Sequence, residues 1–316
     1  MRLGVIDIGS NTVHLLIASI YPGGRPVADS SDRTAIRLMR YLTPDGAISD
    51  EGVALLIDAA ARARAQVENT TVDEVLATAT SAVREASNGE EVIARLEDTL
   101  GMPLQVLGGE TEARLTFLAA RRWVGWSAER LLLLDIGGGS LELAHGAEEM
   151  PEIATSVPLG AGRMTRTFMP DDPPTSEQIK ALREYAREQL ATVTPTLLAQ
   201  PRADHVIGTS KTIRSLGQLA GRVIMGQTSS VHRTRMSRKS LSEWIPRLAK
   251  IPADVRHVLP GVTPERTYQI VAGAVVLEEA MKALHVVELD ICPWALREGV
   301  LLGYAESMSR IAPSLG

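Results

Sequence analysis

Two aspartates stand where an apolar run meets a glycine turn. Asp7 precedes Gly9-Ser10-Asn11, and Asp135 precedes Gly137-Gly138-Gly139-Ser140. A carboxylate at such a junction can meet a hydrated hard cation such as magnesium. Glycine lets the backbone approach an anion closely, and successive amides of a turn form an anion-binding concavity. Each turn is therefore a candidate phosphate cradle. Glu142 follows Ser140 by two positions, which on a strand places both side chains on one face. Asp7 and Asp135 are thus candidate ligands for Mg2+, and Glu142 is placed to face the same cleft as Ser140. For either turn alone, an ordinary turn with a solvated carboxylate is the simpler account. The repeated Asp-Ile-Gly shifts the balance toward a phosphate cleft between two related halves.

Glu112 is the candidate general base. It stands at the expected start of a helix, whose positive end attracts phosphate while the carboxylate orients water. Helix-dipole stabilisation is the plainer local reading, and Glu110, expected just ahead of the helix, is a less rigid competitor. Arg84 follows the Ala79-Thr80-Ser81-Ala82 turn. Its planar guanidinium suits phosphate oxygens, and a surface pair with Glu85 is the alternative. A third phosphate-like stretch, Gly208-Thr209-Ser210-Lys211-Thr212, joins the apolar Val206-Ile207 to a helical pattern at Ile213, Leu216 and Leu219. Helix-terminal amides, Ser210 and Lys211 are suited to an anion there, and a neutral N-cap by Thr209 or Ser210 explains it as well. The spacing is not that of a P-loop. His14 reads as a hydrogen-bonded strand histidine, Cys292 as a core residue, and Arg297 as a substrate contact or a bridge between halves.

The elements that must carry these residues alternate. Leu3–Ile8 and Leu131–Ile136 read as buried strands, each followed by a turn and a second strand. Asp50–Val67 shows helical apolar spacing, with Ser49 as N-cap. Val75–Ala79 reads as a strand. Asn88 and Glu91 have capping-box spacing, as do Thr175 and Gln178. Another helix is expected from Thr111 or Glu112. Pro264 is placed to open a helix through Ile270, Ala274 and Leu277, and a closing helix is expected from about Pro293 past Gly299. The pattern implies an α/β fold. The boundary falls within Trp123–Glu129. It divides the chain into 1–125, joined by a returning helix 298–312, and 126–297.

Composition sets limits. The chain of 316 residues is 45% hydrophobic, and its 33 basic against 38 acidic residues give a net charge of -5. That balance gives no overall steering of a polyanion, so phosphate binding needs locally aimed Arg side chains, backbone N–H groups and metal. It also argues against a nucleic-acid coating protein. No apolar run is long enough to span a membrane, and no secretory signal is visible. A single cysteine excludes an internal disulfide and fits the cytoplasm.

The ordered set of motifs resembles the exopolyphosphatase and guanosine pentaphosphate phosphohydrolase family, especially its short actinobacterial exopolyphosphatases. The resemblance runs from Gly4–Thr12 through Thr78–Ala86, Glu112–Leu115, Leu134–Glu142 and Gly208–Leu216 to Pro293–Gly299. It implies the actin, sugar kinase and Hsp70-like fold, with two related domains flanking an active-site cleft. It further implies Glu112 as the glutamate that activates water and Arg84 as a phosphate contact. The residues Gly9, Ser10, Asn11, Gly137, Gly138, Gly139, Ser140, Gly208, Thr209, Ser210 and Lys211 are implied as phosphate-binding, and Asp7, Asp135 and Glu142 as associated with magnesium. The implied substrate is inorganic polyphosphate. Guanosine pentaphosphate or tetraphosphate, and a non-catalytic phosphate- or alarmone-binding role, remain alternatives. A homodimer is expected. Longer family members carry extra C-terminal helical domains for which this chain leaves little room, and Lys211 and Ala295 stand where many relatives have glycine. Short chains are therefore the expected substrate.

Overall fold

The computed structural model describes residues 1–21, 24–125, 128–224 and 233–311. Residues 126, 127 and 312, which belong to the expected boundary and the end of the returning helix, lie outside that set.

The first sheet forms around β1 (Arg2–Ile8), whose Leu3, Val5, Ile6 and Ile8 are buried on both faces. It pairs antiparallel with β2 (Thr12–Ser19), which in turn pairs with β3 (Val27–Ala35). A 3₁₀ turn at Leu38–Arg40 leads to α1 (Asp50–Glu68), capped by the Ser49 hydroxyl, which accepts from the Gly52 N–H at 3.3 Å. Then follow β4 (Glu74–Ala79), parallel to β1, the short α2 (Ser81–Arg84), α3 (Gly89–Leu100), β5 (Leu104–Val106) and α4 (Gly109–Val124). The strand order is β3-β2-β1-β4-β5.

The second sheet repeats this plan and extends it. Its centre, β6 (Leu131–Ile136), is buried throughout, pairs antiparallel with β7 (Leu141–Gly146), and is followed by β8 (Ile153–Val157). Helices α5 (Ala161–Phe168), α6 (Ser176–Ala191) and α7 (Thr194–Leu198) lead to β9 (His205–Thr209), which lies parallel to β6. The chain continues through α8 (Ser210–Ala220), β10 (Gly221–Ile224), β11 (Arg233–Ser237), α9 (Arg238–Leu248), α10 (Ile270–Ala283), β12 (Glu288–Ile291) and α11 (Leu296–Ile311). The order is β10-β11-β12-β9-β6-β7-β8.

Two helices join the sheets. On α4, the buried Ala113, Phe117, Ala120 and Val124 pack on Leu131 and Leu133 of the second sheet. Its Leu115 packs in a different cluster, with Val300 and Leu301 of α11 and with Leu3, Val5 and Leu16 of the first sheet. Truncating the fully buried Phe117 to Ala is expected to cost about 3–5 kcal/mol. No described helix is long and apolar enough to cross a membrane.

The capping box of α6 forms as expected, with Thr175 and Gln178 bonded reciprocally. Three local expectations fail. Asn88 does not cap α3: its amide bonds both the N–H and the carbonyl of Ile48, each at 2.9 Å, because tertiary contact supplies a better backbone partner. Helix α4 begins earlier than expected, at Gly109, so Glu110 lies in its first turn and pairs with Arg114 at 2.7 Å. Pro264 opens no helix. The N–H of Arg266 closes on Thr263 O and that of Gln269 on Arg266 O, a run of tight turns that delays α10 to Ile270.

Candidate active site at the meeting of two glycine turns

The turn after β1 and the turn after β6 close with the same bond. The Gly9 N–H donates to Thr12 O at 3.0 Å, and the Gly137 N–H to Ser140 O at 2.9 Å. Strand register then puts His14 opposite Asp7 and Glu142 opposite Asp135. The turns meet face to face. A Cβ on Gly138 would fall 2.6 Å from Ser10 Cβ, and one on Gly139 only 2.3 Å from Ser81 Oγ, so glycine is required by close approach there.

Between them lies a cleft of about 400 Å³. The first turn contributes Asp7, Gly9, Ser10 and Asn11; the second contributes Asp135, Gly137, Gly138, Ser140 and Glu142. Glu112 reaches it from the first turn of α4, and Ser210 and Lys211 from the start of α8. Four candidates are not brought to its wall. Gly139 is pressed against Ser81. Gly208 lies in β9 against Ile213 and Leu289. Thr209 is fully buried and donates from its hydroxyl to Asp135 Oδ2 at 2.7 Å, orienting that carboxylate. Arg84 stands beside an adjoining cavity, donates from Nη1 to Glu112 Oε1 at 2.6 Å and to Leu107 O, and pairs with Glu85 at 3.2 Å.

Four acids share the cleft at close quarters. Burial raises Asp7 and Asp135 to about 6, opposed for Asp7 by Arg297 and for Asp135 by the Thr209 hydroxyl. Burial raises Glu112 to about 7, with Arg84 opposing and Asp7 and Asp135 adding to the rise. Glu142 is pushed well above the carboxylate range by burial and by Glu112 and Asp135, although it accepts from Ser156 Oγ at 2.9 Å. The only ion pair at Asp7 among the described residues is long, 3.8 Å to Arg297. Asp7 Oδ1 and the neighbouring Thr78 Oγ1 are buried without a hydrogen-bond partner among the described residues.

This donor set fits magnesium. It is all oxygen, and magnesium keeps several waters and takes one or two carboxylates plus substrate phosphate. No cluster of three close protein ligands occurs among the described residues, and this mode of binding needs none.

Several cleft residues escaped the sequence reading. Arg33, Arg214 and Arg266 line it, all cationic. Arg33 sits opposite His14 on β3, so Asp7, His14 and Arg33 form one row across three strands. No periodic signal marks β3, whose residues are almost all exposed. Burial, then Arg33, lowers Arg266 to about 10. His14 Nε2 lies 2.6 Å from Ser31 Oγ, and burial, then Arg297 and Arg33, lowers the ring to about 3. Cys292 is fully buried and its thiol is pushed up by burial, so it is no nucleophile.

The chain matches known proteins over nearly its full length. The chain is 44% identical to Exopolyphosphatase 1 of Mycobacterium leprae over 307 residues, covering 97% of this chain and 90% of that protein. It is 45% identical to Exopolyphosphatase 1 of Mycobacterium tuberculosis, covering 97% and 89%. Among solved structures, an exopolyphosphatase from Cytophaga hutchinsonii superposes with a TM-score of 0.86 at 26% identity, covering 97% of this chain and 98% of that one. A Ppx/GppA family member from Aquifex aeolicus gives 0.78 at 27% identity, covering 98% of each. The fold is that of these structures, the actin, sugar kinase and Hsp70-like fold. The pattern of the Ppx/GppA phosphatase family matches residues 16–308, and the chain belongs to that family.

Proposed function

We propose that the protein is an exopolyphosphatase that removes terminal phosphates from inorganic polyphosphate, with short chains preferred. The observation that carries this reading is the placement of Glu112. Its carboxyl, held near 7, lines the cleft formed by two glycine turns and three further buried acids. A carboxylate poised near neutrality is suited to take a proton from water.

In this reading a water oxygen attacks the terminal phosphorus, and the proton passes to Glu112. The anhydride P–O bond breaks, and the leaving group is the shortened chain. Arg84 bonds Glu112 Oε1 from the side of the adjoining cavity and fixes the direction of its carboxylate. Amides at Ser10, Asn11, Gly138 and Ser140 hold phosphate oxygens, together with Ser210 and Lys211, while those of Gly9 and Gly137 close the turns. Arg33, Arg214, Arg266 and Arg297 offset the substrate charge locally in a chain whose net charge is -5. Magnesium, when bound, neutralises phosphate oxygens, and Asp7, Asp135 and Glu142 are the residues placed to hold it. The same reading divides the chain into 1–125 with the returning helix, and 126–297. It places the enzyme in the cytoplasm as a homodimer, which sedimentation would check.

The test is a product time course on defined polyphosphates and guanosine pentaphosphate, with and without magnesium. Stepwise loss of terminal phosphate from polyphosphate is expected, and Glu112→Gln is expected to lower turnover roughly 10²- to 10⁴-fold while folded. Selective conversion of guanosine pentaphosphate to tetraphosphate would replace this reading with the nucleotide one. Binding without phosphate release would leave only a regulator.

A further inference from the structure

Arg266 enters the cleft from residues 263–269, a segment outside any helix or strand. It is only 8% exposed, and its buried Nε has no hydrogen-bond partner among the described residues. A guanidinium held this way needs its backbone fixed from elsewhere, because no ion pair among the described residues anchors it.

Arg256 holds the segment from its own side, donating from Nη1 to Thr267 O at 2.8 Å, and further contacts come from the opposite side. Arg37 donates from Nη2 to Pro264 O at 2.8 Å. The Arg40 guanidinium lies over the Tyr268 ring, 4.5 Å from its centroid. These two contacts flank Arg266 by two residues on either side. Arg33 adds a looser pair with Glu265 at 4.0 Å. Arg37 is itself in the left-handed region, φ 57° and ψ 51°, which a non-glycine residue adopts only when its surroundings insist. Those surroundings are the first glycine turn. The N–H groups of Ile36 and Arg37 donate to Asn11 O at 2.8 and 3.0 Å, and that of Leu38 to Ser10 O at 2.8 Å. One continuous path thus runs from the Ser10–Asn11 turn through Arg37 and Arg40 to Pro264 and Tyr268, and so to Arg266.

We propose that Arg37 and Arg40 are positioning residues that clamp Pro264 and Tyr268 and so hold Arg266 in the cleft to receive a substrate phosphate. The proposal rests on the cleft being a phosphoanhydride site. The clamp touches no reacting atom and acts on affinity more than on turnover. Because it is anchored on the first turn, it couples that turn to a cation carried by the second-sheet side.

The experiment is steady-state kinetics on a polyphosphate of defined length, with hydrogen exchange on the same proteins. Arg37→Gly removes the guanidinium and keeps the left-handed backbone. It is expected to raise KM about tenfold with kcat within about twofold. Tyr268→Leu should shift KM the same way, and Tyr268→Phe, which keeps the ring, should match the wild type. If the clamp acts through Arg266, Arg37→Gly adds little on an Arg266→Ala background. Additive effects, a fall in kcat at constant KM, or Phe behaving as Leu would each overturn the proposal. Should the wild type release no phosphate from polyphosphate, the functional reading fails and exchange alone judges the clamp. The amides of Arg266, Gln269 and Ile270, bonded at 2.8, 3.1 and 3.0 Å, should lose protection in Arg37→Gly, and unchanged protection would refute it.

Discussion

The two strand–turn–strand units are built on one plan and carry different chemistry. Each has an aspartate at the end of its central strand, the same turn-closing bond, and a threonine opposite the aspartate on the parallel neighbour, Thr78 for Asp7 and Thr209 for Asp135. At the position facing the aspartate across the hairpin, the first unit has His14 and the second Glu142. Where the first turn has Ser10 and Asn11, the second has Gly138 and Gly139. Two turns that meet at van der Waals distance cannot both carry side chains, so the first brings hydroxyl and amide and the second is bare. The shared plan supplies the frame of the cleft, and differences at a few facing positions make its halves complementary.

The sharpest way to break this comparison is to treat the facing residues alike. Glu142→Gln is expected to lower phosphate release on the order of 10²- to 10³-fold, whereas His14→Gln should cost less than about tenfold. Equal losses in a phosphate-release assay would mean that the facing positions do equivalent work. Next comes packing. Gly138→Ala should destabilise by about 1–3 kcal/mol in denaturant unfolding, because its Cβ would meet Ser10 Cβ at 2.6 Å. Gly9→Ala should cost below about 1 kcal/mol, since the nearest atom to its Cβ is Thr12 O at 3.5 Å.

The pH dependence of stability should differ in sign between the facing residues Glu142 and His14. Burial and its acidic neighbours push Glu142 well above the carboxylate range in the folded protein, and Asp7 and Asp135 are raised to about 6. The folded state then binds more protons than the unfolded one above the ordinary carboxylate range. In metal-free buffer this contribution grows as pH falls through 6 toward 4. His14 is lowered from 6.5 to about 3, so the unfolded state binds the extra proton and stability is lost as pH falls below 6.5. Unfolding midpoints across pH 4–7 for Glu142→Gln and His14→Gln would separate the two; shifts of the same sign would contradict the comparison. Activity has its own limb, falling as pH drops below about 7 where Glu112 takes up its proton.

The smallest effect concerns the paired threonines. Thr209→Val removes a 2.7 Å bond to Asp135 and should cost about 1–2 kcal/mol. Thr78→Val removes a buried hydroxyl with no partner among the described residues and should be close to neutral by the same measurement.

Much of this architecture was legible from residue order. Apolar runs at Leu3–Ile8 and Leu131–Ile136, each ending in Asp-Ile-Gly, announce buried strands and turns because burial on both faces demands continuous apolar sequence. The caps at Ser49 and Thr175 are equally local. Asn88 was misread because a tertiary partner, the Ile48 backbone, outcompeted the cap. Arg33 and Arg266 went unseen because an exposed strand and a run of turns carry no periodicity.

By itself, the sequence determined the α/β alternation, the two acid-bearing turns and the candidate base, since these depend on propensity, turn chemistry and short-range spacing. Only tertiary structure decided that Arg84 holds Glu112, that Gly208 and Thr209 lie off the cleft wall, and that arginines from distant segments line it. It also decided that the pKa values of the four acids are raised. Those depend on burial and on neighbours far apart in the chain, which arise only when the two sheets close on one another.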